Sequence, residues 1–334
     1  MRCPEGRKGA AILWAAIAAG IAASLTALAV AQADDATMIT PAMKIEQSAP
    51  SSQARLSFCD EFERLDVRSD RGGTWDTSYY WQGTPNGSTL PSEQQWYIDA
   101  SFGPTQTIQA HQIHNGVLTL RADRADPALV GFLNGHAYTS GLINSGRSFG
   151  RTFGYFEMRA KLPKGQGLWP AFWLVPEDGT ASHEIDVMEV LGQDTTKIHT
   201  TLHQFKGSHR YVSGESRVPD MAEGFHLFGV DWQSDTITWY FDRVPIYRLD
   251  TPTDLRKPMF MIINLAAGGP MPGPIGTDTQ FPADMLIDYV RVYSSLPRTP
   301  ASSLPAVGSA HCPSGLSPKG RPSNMTVTAQ ARKG

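Results

Sequence analysis

Cysteine is nearly absent from this chain: three residues in 334, Cys3, Cys59 and Cys312. The sequence also lacks a glycine fingerprint leading into a helix, a phosphate-binding P-loop, an internal repeat and a long amphipathic helix. Those gaps leave no signal for a nucleotide-binding α/β fold or a repeat array. Charge is sparse, at 18% of residues against 41% apolar, which excludes a wholly disordered chain and leaves ample material for a core. It is also lopsided. Residues 1–33 carry three basic groups and one acid, and the stretch after Ser295 carries five basic groups and no acid, so the whole-chain charge of −3 leaves −10 on the body between. An acidic body argues against nucleic acid as a ligand.

Arg2, Arg7 and Lys8 precede an apolar run from Gly9 to Val30, closed by Ala31-Gln32-Ala33 before Asp34-Asp35. This is the pattern of a secretory signal over residues 1–33 with a small-residue cleavage site. The run is longer than a usual signal core, so an uncleaved membrane anchor is the competing reading. Cleavage would leave a secreted or periplasmic protein with no stable membrane association. An exported setting permits Cys59 and Cys312 to pair, although nothing in the sequence places them side by side. Residues 34–55, rich in Thr, Ser, Gln and Pro, read as a flexible lead-in. Residues 296–334, with four prolines before Leu316 and no apolar periodicity, read as a disordered basic tail.

Between them, residues 56–295 form one run of short strands punctuated by Gly, Pro, Asn and Asp. After the Asn115-Gly116 turn, Leu118 and Leu120 alternate with Thr119 and Arg121. Phe156, Met158, Ala160 and Leu162 make one face of a strand whose other face is Tyr155, Glu157, Arg159 and Lys161. Ile237, Trp239 and Phe241 alternate with Thr238 and Tyr240, and Asp288, Val290 and Val292 alternate with Ile287, Tyr289, Arg291 and Tyr293. Period-two patterning repeated this often predicts two packed antiparallel sheets, an all-β sandwich or jelly roll.

One strand breaks the pattern. In His183-Glu184-Ile185-Asp186-Val187-Met188-Glu189-Val190, alternation puts Glu184 and Asp186 on one face and Ile185 and Val187 on the other, but would then send Glu189 into the core. An unpaired carboxylate there costs several kcal/mol or stays protonated. A β-bulge, with one extra residue at Met188, returns Glu189 to the acidic face and Val190 to the core. No Lys or Arg lies between Thr180 and Gln193, so the three acids lack the counter-charges expected of a merely solvated strand. Two glutamates leaning together over Asp186 suit the carboxylate pair of a glycosidase; a carboxylate cluster also suits Ca²⁺.

Three blocks now carry a resemblance: Gly154-Tyr155-Phe156-Glu157-Met158-Arg159-Ala160-Lys161-Leu162-Pro163, Gly167-Leu168-Trp169-Pro170-Ala171-Phe172-Trp173 and Glu184-Ile185-Asp186-Val187-Met188-Glu189. With Asn264-Leu265-Ala266-Ala267-Gly268-Gly269 and Ile287-Asp288-Tyr289-Val290-Arg291-Val292-Tyr293, the stretch 56–295 resembles glycoside hydrolase family 16. The bulged acidic motif is most similar to the laminarinase-like branch, with bacterial β-glucanases and rhizobial succinoglycan-depolymerising glycanases nearest in pattern. The resemblance implies a concanavalin-like jelly roll with a concave sugar-binding cleft, a polysaccharide substrate, a monomer, and no cofactor for catalysis. It makes Glu184 the nucleophile, Asp186 its electrostatic helper and Glu189 the general acid/base. Departures are Ala181-Ser182-His183 where relatives often carry Trp-Pro-Pro, and His203-Gln204 where many laminarinases have His-Trp.

Further site residues follow on the same footing. Trp169 and Trp173 share a strand face, as sugar platforms or as core. Glu157 and Arg159 would orient the sugar or pair on the surface. His203 is expected in the cleft near Glu189 or sugar. Asn144 and Asn264 are cleft candidates or turn residues. Glu61, the carbonyl of Gly116 and Asp288 match the ligand positions of a structural Ca²⁺ far from the cleft, against the alternative of a surface acid and a salt bridge.

Overall fold

In the computed structural model of the chain, residues 54–314 and 316 are described, apart from Pro85 and Ala181. The expected signal segment, and the lead-in as far as residue 53, lie outside them. Among the described residues, no helix is long and apolar enough to cross a membrane.

The strands are β1 (Leu56–Asp60), β2 (Gly87–Ser88), β3 (Gln95–Ile98), β4 (His111–His114), β5 (Val117–Arg124), β6 (Tyr138–Ser140), β7 (Leu142–Asn144), β8 (Gly154–Lys161) and β9 (Leu168–Pro176). They continue with β10 (His183–Glu189), β11 (Lys197–Gln204), β12 (Arg210–Arg217), β13 (His226–Trp232), β14 (Thr236–Phe241), β15 (Val244–Asp250), β16 (Met259–Ala267) and β17 (Ala283–Tyr293). They form two sheets. One runs β12-β11-β10-β9-β16-β7. The larger runs β15-β14-β13-β8-β17-β5-β6-β3-β2, with β1 also on β17 and β4 on β5. Pairing is antiparallel except between β3 and β6. This is the all-β jelly-roll sandwich that the alternation predicts.

The core lies between the sheets. Phe156, Met158 and Ala160 of β8, Ile237, Trp239 and Phe241 of β14, and Leu118 and Leu120 of β5 meet Phe172 and Leu174 of β9 and Ile185 of β10. Each large apolar side chain so buried contributes about 1.5–3 kcal/mol. Strand β9 is buried on both faces. Its even-numbered apolar residues enter the core, while Trp169, Ala171, Trp173 and Val175 pack beneath Tyr79, Trp81 and Tyr97. Those three belong to a segment folded over the outer face of the smaller sheet. It is tied by reciprocal backbone bonds between Asp76 and Asn144 and by Gln94 N–H donating to the Ala267 carbonyl. The sheet thereby acquires a wall, and a cleft beside it.

Strand β17 departs from simple alternation. Opposite Ala160 and Arg159 of β8 stand Ile287 and Tyr289, so Asp288 is an extra residue. The bulge sends Ile287, Val290 and Val292 all into the core and turns Asp288 outward to Arg159. Strict alternation would have set Ile287 against Val290.

A second correction concerns the tail. From Ser294 to Ser314 the chain is held rather than free. Leu296 packs with Tyr155 and Tyr240, and the Thr299 carbonyl accepts from Arg243. The Pro305 carbonyl accepts from Arg159 at 2.9 Å, Gly308 N–H donates to Asp288 Oδ1 at 2.6 Å, and Cys312 is disulfide-bonded to Cys59. Three polar anchors, one apolar contact and one covalent bond order a segment that its low apolar content alone would leave loose.

This strap occupies the corner expected to bind calcium. Arg291 Nε lies 2.6 Å from Glu61 Oε1, and Arg159 Nη1 lies 3.0 Å from Asp288 Oδ2. A Cβ on Gly116 would meet the Gly308 carbonyl at 2.9 Å. Two guanidinium groups and an amide N–H therefore face the oxygens that a cation would need, and the residues as arranged do not fit a calcium ion. Glu61 and Asp288 serve ion pairs instead. Reduction, or Cys312→Ser, is expected to cost about 2–5 kcal/mol and lower Tm by roughly 5–15 °C, because the bridge closes most of the chain. Dialysis against EDTA is expected to leave Tm unchanged; a drop with chelator would restore the metal to this corner.

Candidate active site

The bulge in β10 builds the site. Against β9, Asp186 faces Trp173 and Met188 faces Phe172, so two steps on β10 match one on its neighbour. Against β11, Asp186 faces Thr201 and Glu189 faces His199. The step falls across Val187 and Met188, whose side chains both enter the core, while Glu189 lies beside Ala171 in the cleft. A bulge disrupts the ladder, and here Trp239 Nε1, from the opposite sheet, donates to the Asp186 carbonyl at 2.8 Å.

One cavity gathers Glu184, Asp186 and Glu189 with Trp169, Ala171, Trp173 and Asn264, and is walled by Tyr79, Leu90 and Glu93. Trp169 Nε1 donates to Glu189 Oε1 at 3.1 Å. Trp173 Nε1 donates to Asn264 Oδ1 at 2.8 Å, and Asn264 Nδ2 donates to Tyr97 OH at 2.9 Å. Both indoles thus stand in the cleft with fixed rings. His203 Nε2 lies 3.0 Å from Asp186 Oδ2 and 3.9 Å from Glu184 Oε1. The shorter contact is near enough for an ion pair but is not aligned as a hydrogen bond, and Asp186 Oδ2 and Glu184 Oε2 are buried without a hydrogen-bond partner. One carboxylate oxygen each of Glu184 and Asp186 and one ring nitrogen of His203 all lie within 4.8 Å of one another.

Burial pushes the Glu184 carboxyl well above its usual range, and the charges of Asp186 and Glu189 push it further. Glu189 also rises, first from burial and then from Asp186, with the Trp169 N–H pulling the other way. Three carboxyls this close cannot all ionise at neutral pH, so a proton stays among them.

The remaining expected residues separate. Glu157 is fully buried on the outer face of the larger sheet, where Arg243 Nε and Nη2 each donate to it at 2.7 Å and Tyr155 and Tyr289 hydroxyls at 2.9 Å. Arg159 is on that face too, with Asp288 and the strap. Neither meets the cleft, because β8 belongs to the larger sheet. Asn144 is covered by the 75–98 segment; its Nδ2 donates to the Ser78 carbonyl and its Oδ1 accepts from Gly146 N–H, a turn-holding role. His203 is in the cleft but faces Asp186 and Glu184 rather than Glu189.

Sequence reasoning missed Glu93, Tyr79 and Tyr97. Glu93 is a fourth carboxyl in the cleft, held by donation from Leu90 N–H at 3.2 Å and Gln95 Nε2 at 2.6 Å, and burial pushes it up to about 7. It sits in a loop with no periodicity to reveal its direction.

A jelly-roll cleft with two glutamates about an aspartate and indole platforms beside them defines the class, the glycoside hydrolases. The chain belongs to glycosyl hydrolases family 16, whose family model matches residues 98–291. It is 44% identical over 241 residues to the endo-1,3-1,4-beta-glycanase ExsH of Rhizobium meliloti, covering 71% of this chain and 51% of that protein. It is 32% identical to a beta-glucanase of Rhodothermus marinus, covering 68% of this chain and 87% of the relative. The X-ray structure of the endo-beta-1,3-glucanase from Pyrococcus furiosus superposes with a TM-score of 0.58 at 32% identity, over 73% of this chain and 95% of that one. The chain spans about half the length of its Rhizobium meliloti relatives.

Two outcomes follow from the cleft's electrostatics. A carboxyl raised in the folded state contributes stability that is fully present below its ordinary value of about 4.3 and is lost as pH climbs through its raised value. Glu184→Gln is therefore expected to raise Tm by a few degrees at pH 7, with the gain vanishing near pH 4; a destabilised variant at pH 7 would contradict this electrostatic picture. Trp169→Phe keeps a ring but removes the donor that holds Glu189 down. The alkaline limb of kcat against pH is expected to move up by about one unit, the worth of one hydrogen bond to a charged group.

Proposed function

We propose that the chain is an exported, retaining endo-β-glycosidase that hydrolyses internal β-1,3 or mixed β-1,3/1,4 linkages of glucans or of a bacterial exopolysaccharide. The observation that carries this reading is the β10 bulge, which aims Glu184, Asp186 and Glu189 into one cleft floored by Trp169 and Trp173. Glu184, with an oxygen buried and unpartnered, attacks the anomeric carbon. Glu189, kept protonated by burial and by Asp186, gives its proton to the leaving oxygen. It then takes a proton from the water that releases the glycosyl-enzyme, as double displacement requires. Asp186 and His203 hold the charge balance beside the nucleophile. The indoles stack on the apolar faces of pyranose rings. The names of the relatives support β-glucan as the substrate class, and the N-terminal pattern of residues 1–33 supports export.

Transfer of the glycosyl group to a second sugar would use the same intermediate, and a lectin would use the same platforms without turnover. Product sizing on laminarin, lichenan, curdlan and succinoglycan separates these outcomes. Hydrolysis gives new reducing ends on fragments shorter than the donor, transfer gives longer chains, and a lectin gives none. Glu184→Ala and Glu189→Ala are each expected to lower kcat about a thousandfold or more without loss of fold. The first sugar released is expected to keep the β-anomer by NMR; an α-anomer would sink the retaining mechanism, and a folded, active Glu184→Ala would sink the assignment of the nucleophile.

A further inference from the structure

The hairpin joining β11 to β12 is not needed to explain the acids, yet it reaches them through one imidazole. His203 on β11 has a close polar neighbour at each ring nitrogen. Nε2 faces Asp186 at 3.0 Å and Glu184 at 3.9 Å, and Nδ1 lies 2.9 Å from Nε2 of His209 in the hairpin. The second histidine is set by stacking. Phe205 lies parallel to His209 at 4.6 Å and 8°, and Tyr211 covers its other flank at 5.8 Å and 29°. The hairpin is itself anchored, since Phe205 N–H donates to the Ser182 carbonyl at 2.9 Å, one residue before β10 begins.

We propose that His209 is a positioning residue for the reaction: it fixes which nitrogen of His203 carries the proton, and so keeps an N–H turned toward Asp186 and Glu184. The inference rests on the glycosidase reading of those acids.

The chemistry follows from the two faces of imidazole. A neutral ring has one N–H and one lone pair, and the partner of one nitrogen decides the state of the other. Toward the ionised oxygens of this cluster Nε2 is favourable as a donor, since a lone pair there would be repelled. His203 Nδ1 is then an acceptor and takes the Nε2–H of His209. When His203 carries a second proton, Nδ1–H donates to the lone pair of His209. One proton bridges the rings in either state, so the contact between them persists. The groups facing His203 are Glu184 and Asp186 from β10, Tyr211 from β12 and His209 from the hairpin. Of these, His209 makes the hydrogen bond to Nδ1.

The test uses the full chain with His209→Phe, which keeps the stacked ring and removes the nitrogen, and His209→Gln, which restores a donor. His209→Phe is expected to lower kcat about 5- to 30-fold with KM within twofold, to alter the pH profile of kcat, and to leave Tm within about 2 °C. His209→Gln is expected to recover part of the loss. Nitrogen-15 NMR of the histidine rings reads the tautomer directly: His203 is expected as the Nε2–H form in the parent at neutral pH and as a mixture in His209→Phe. That readout needs no turnover, so it decides the proposal even if the parent hydrolyses no glucan, an outcome that would instead defeat the proposed function. Unchanged kcat, pH profile and His203 tautomer in His209→Phe overturn the proposal. So does a rise in KM with an unchanged tautomer, which would make His209 a sugar contact.

Discussion

Like charges crowded into a low-dielectric cleft are the constraint on which the rest of the molecule depends. Glu184 and Asp186 fall on one face of β10 by simple alternation, but the third carboxyl reaches them only through the extra residue at Val187–Met188. Without that residue Glu189 would stand unpaired between the sheets, at a cost of several kcal/mol. With it, two apolar side chains fill the core in succession and the ladder is left with a carbonyl to satisfy. Trp239, four strands further along the chain on the opposite sheet, supplies the donor. The acids are thus braced through the core, so the packing of the sandwich and the geometry of the cleft are not independent.

Alternation was legible because it is physically enforced. Side chains in a two-sheet sandwich have only an inside and an outside, and Phe156, Met158, Ala160, Leu118, Leu120, Ile237, Trp239 and Phe241 all went where period two sent them. The same logic exposed the β10 bulge, since a glutamate on the core side is a visible contradiction. The same contradiction stands in β17, where period two groups Asp288 with Val290 and Val292, but the extra residue there shows only in the pairing with β8. Alternation could not tell which sheet a polar face belongs to. Glu157 and Arg159 sit on a polar face, as read, but of the wrong sheet for sugar. Glu93 and Tyr79 were invisible for another reason: they reach the cleft from irregular segments whose paths are fixed by tertiary contacts.

The strap after Tyr293 illustrates the limit of composition as a guide. Few apolar residues and several prolines mean that the segment cannot pay for its own ordering. Order is supplied instead by partners already fixed on β8, β15's preceding turn and β17: Arg159, Arg243 and Asp288, together with Cys59. The entropy cost is met by a preformed surface and a covalent bond, neither of which is encoded in the segment itself.

Carboxyls on the two sides of the molecule differ chiefly in what faces them. On the larger sheet, Glu157 meets Arg243 in a two-pronged pair, Asp288 meets Arg159 and Glu61 meets Arg291. Each guanidinium offsets the desolvation that burial imposes, and removing either partner would leave a buried charge exposed to a poor dielectric. In the cleft, among the described residues that line it, the same side-chain chemistry meets no arginine or lysine. The nearest base is His203, whose Nε2 faces Asp186 and Glu184. Glu184 and Glu189 are therefore left wanting protons, and a group that wants a proton only part of the time is what acid/base work requires. Burial alone does not mark a reactive carboxyl in this protein; what sets Glu184 and Glu189 apart is burial beside other acids that open on one cleft.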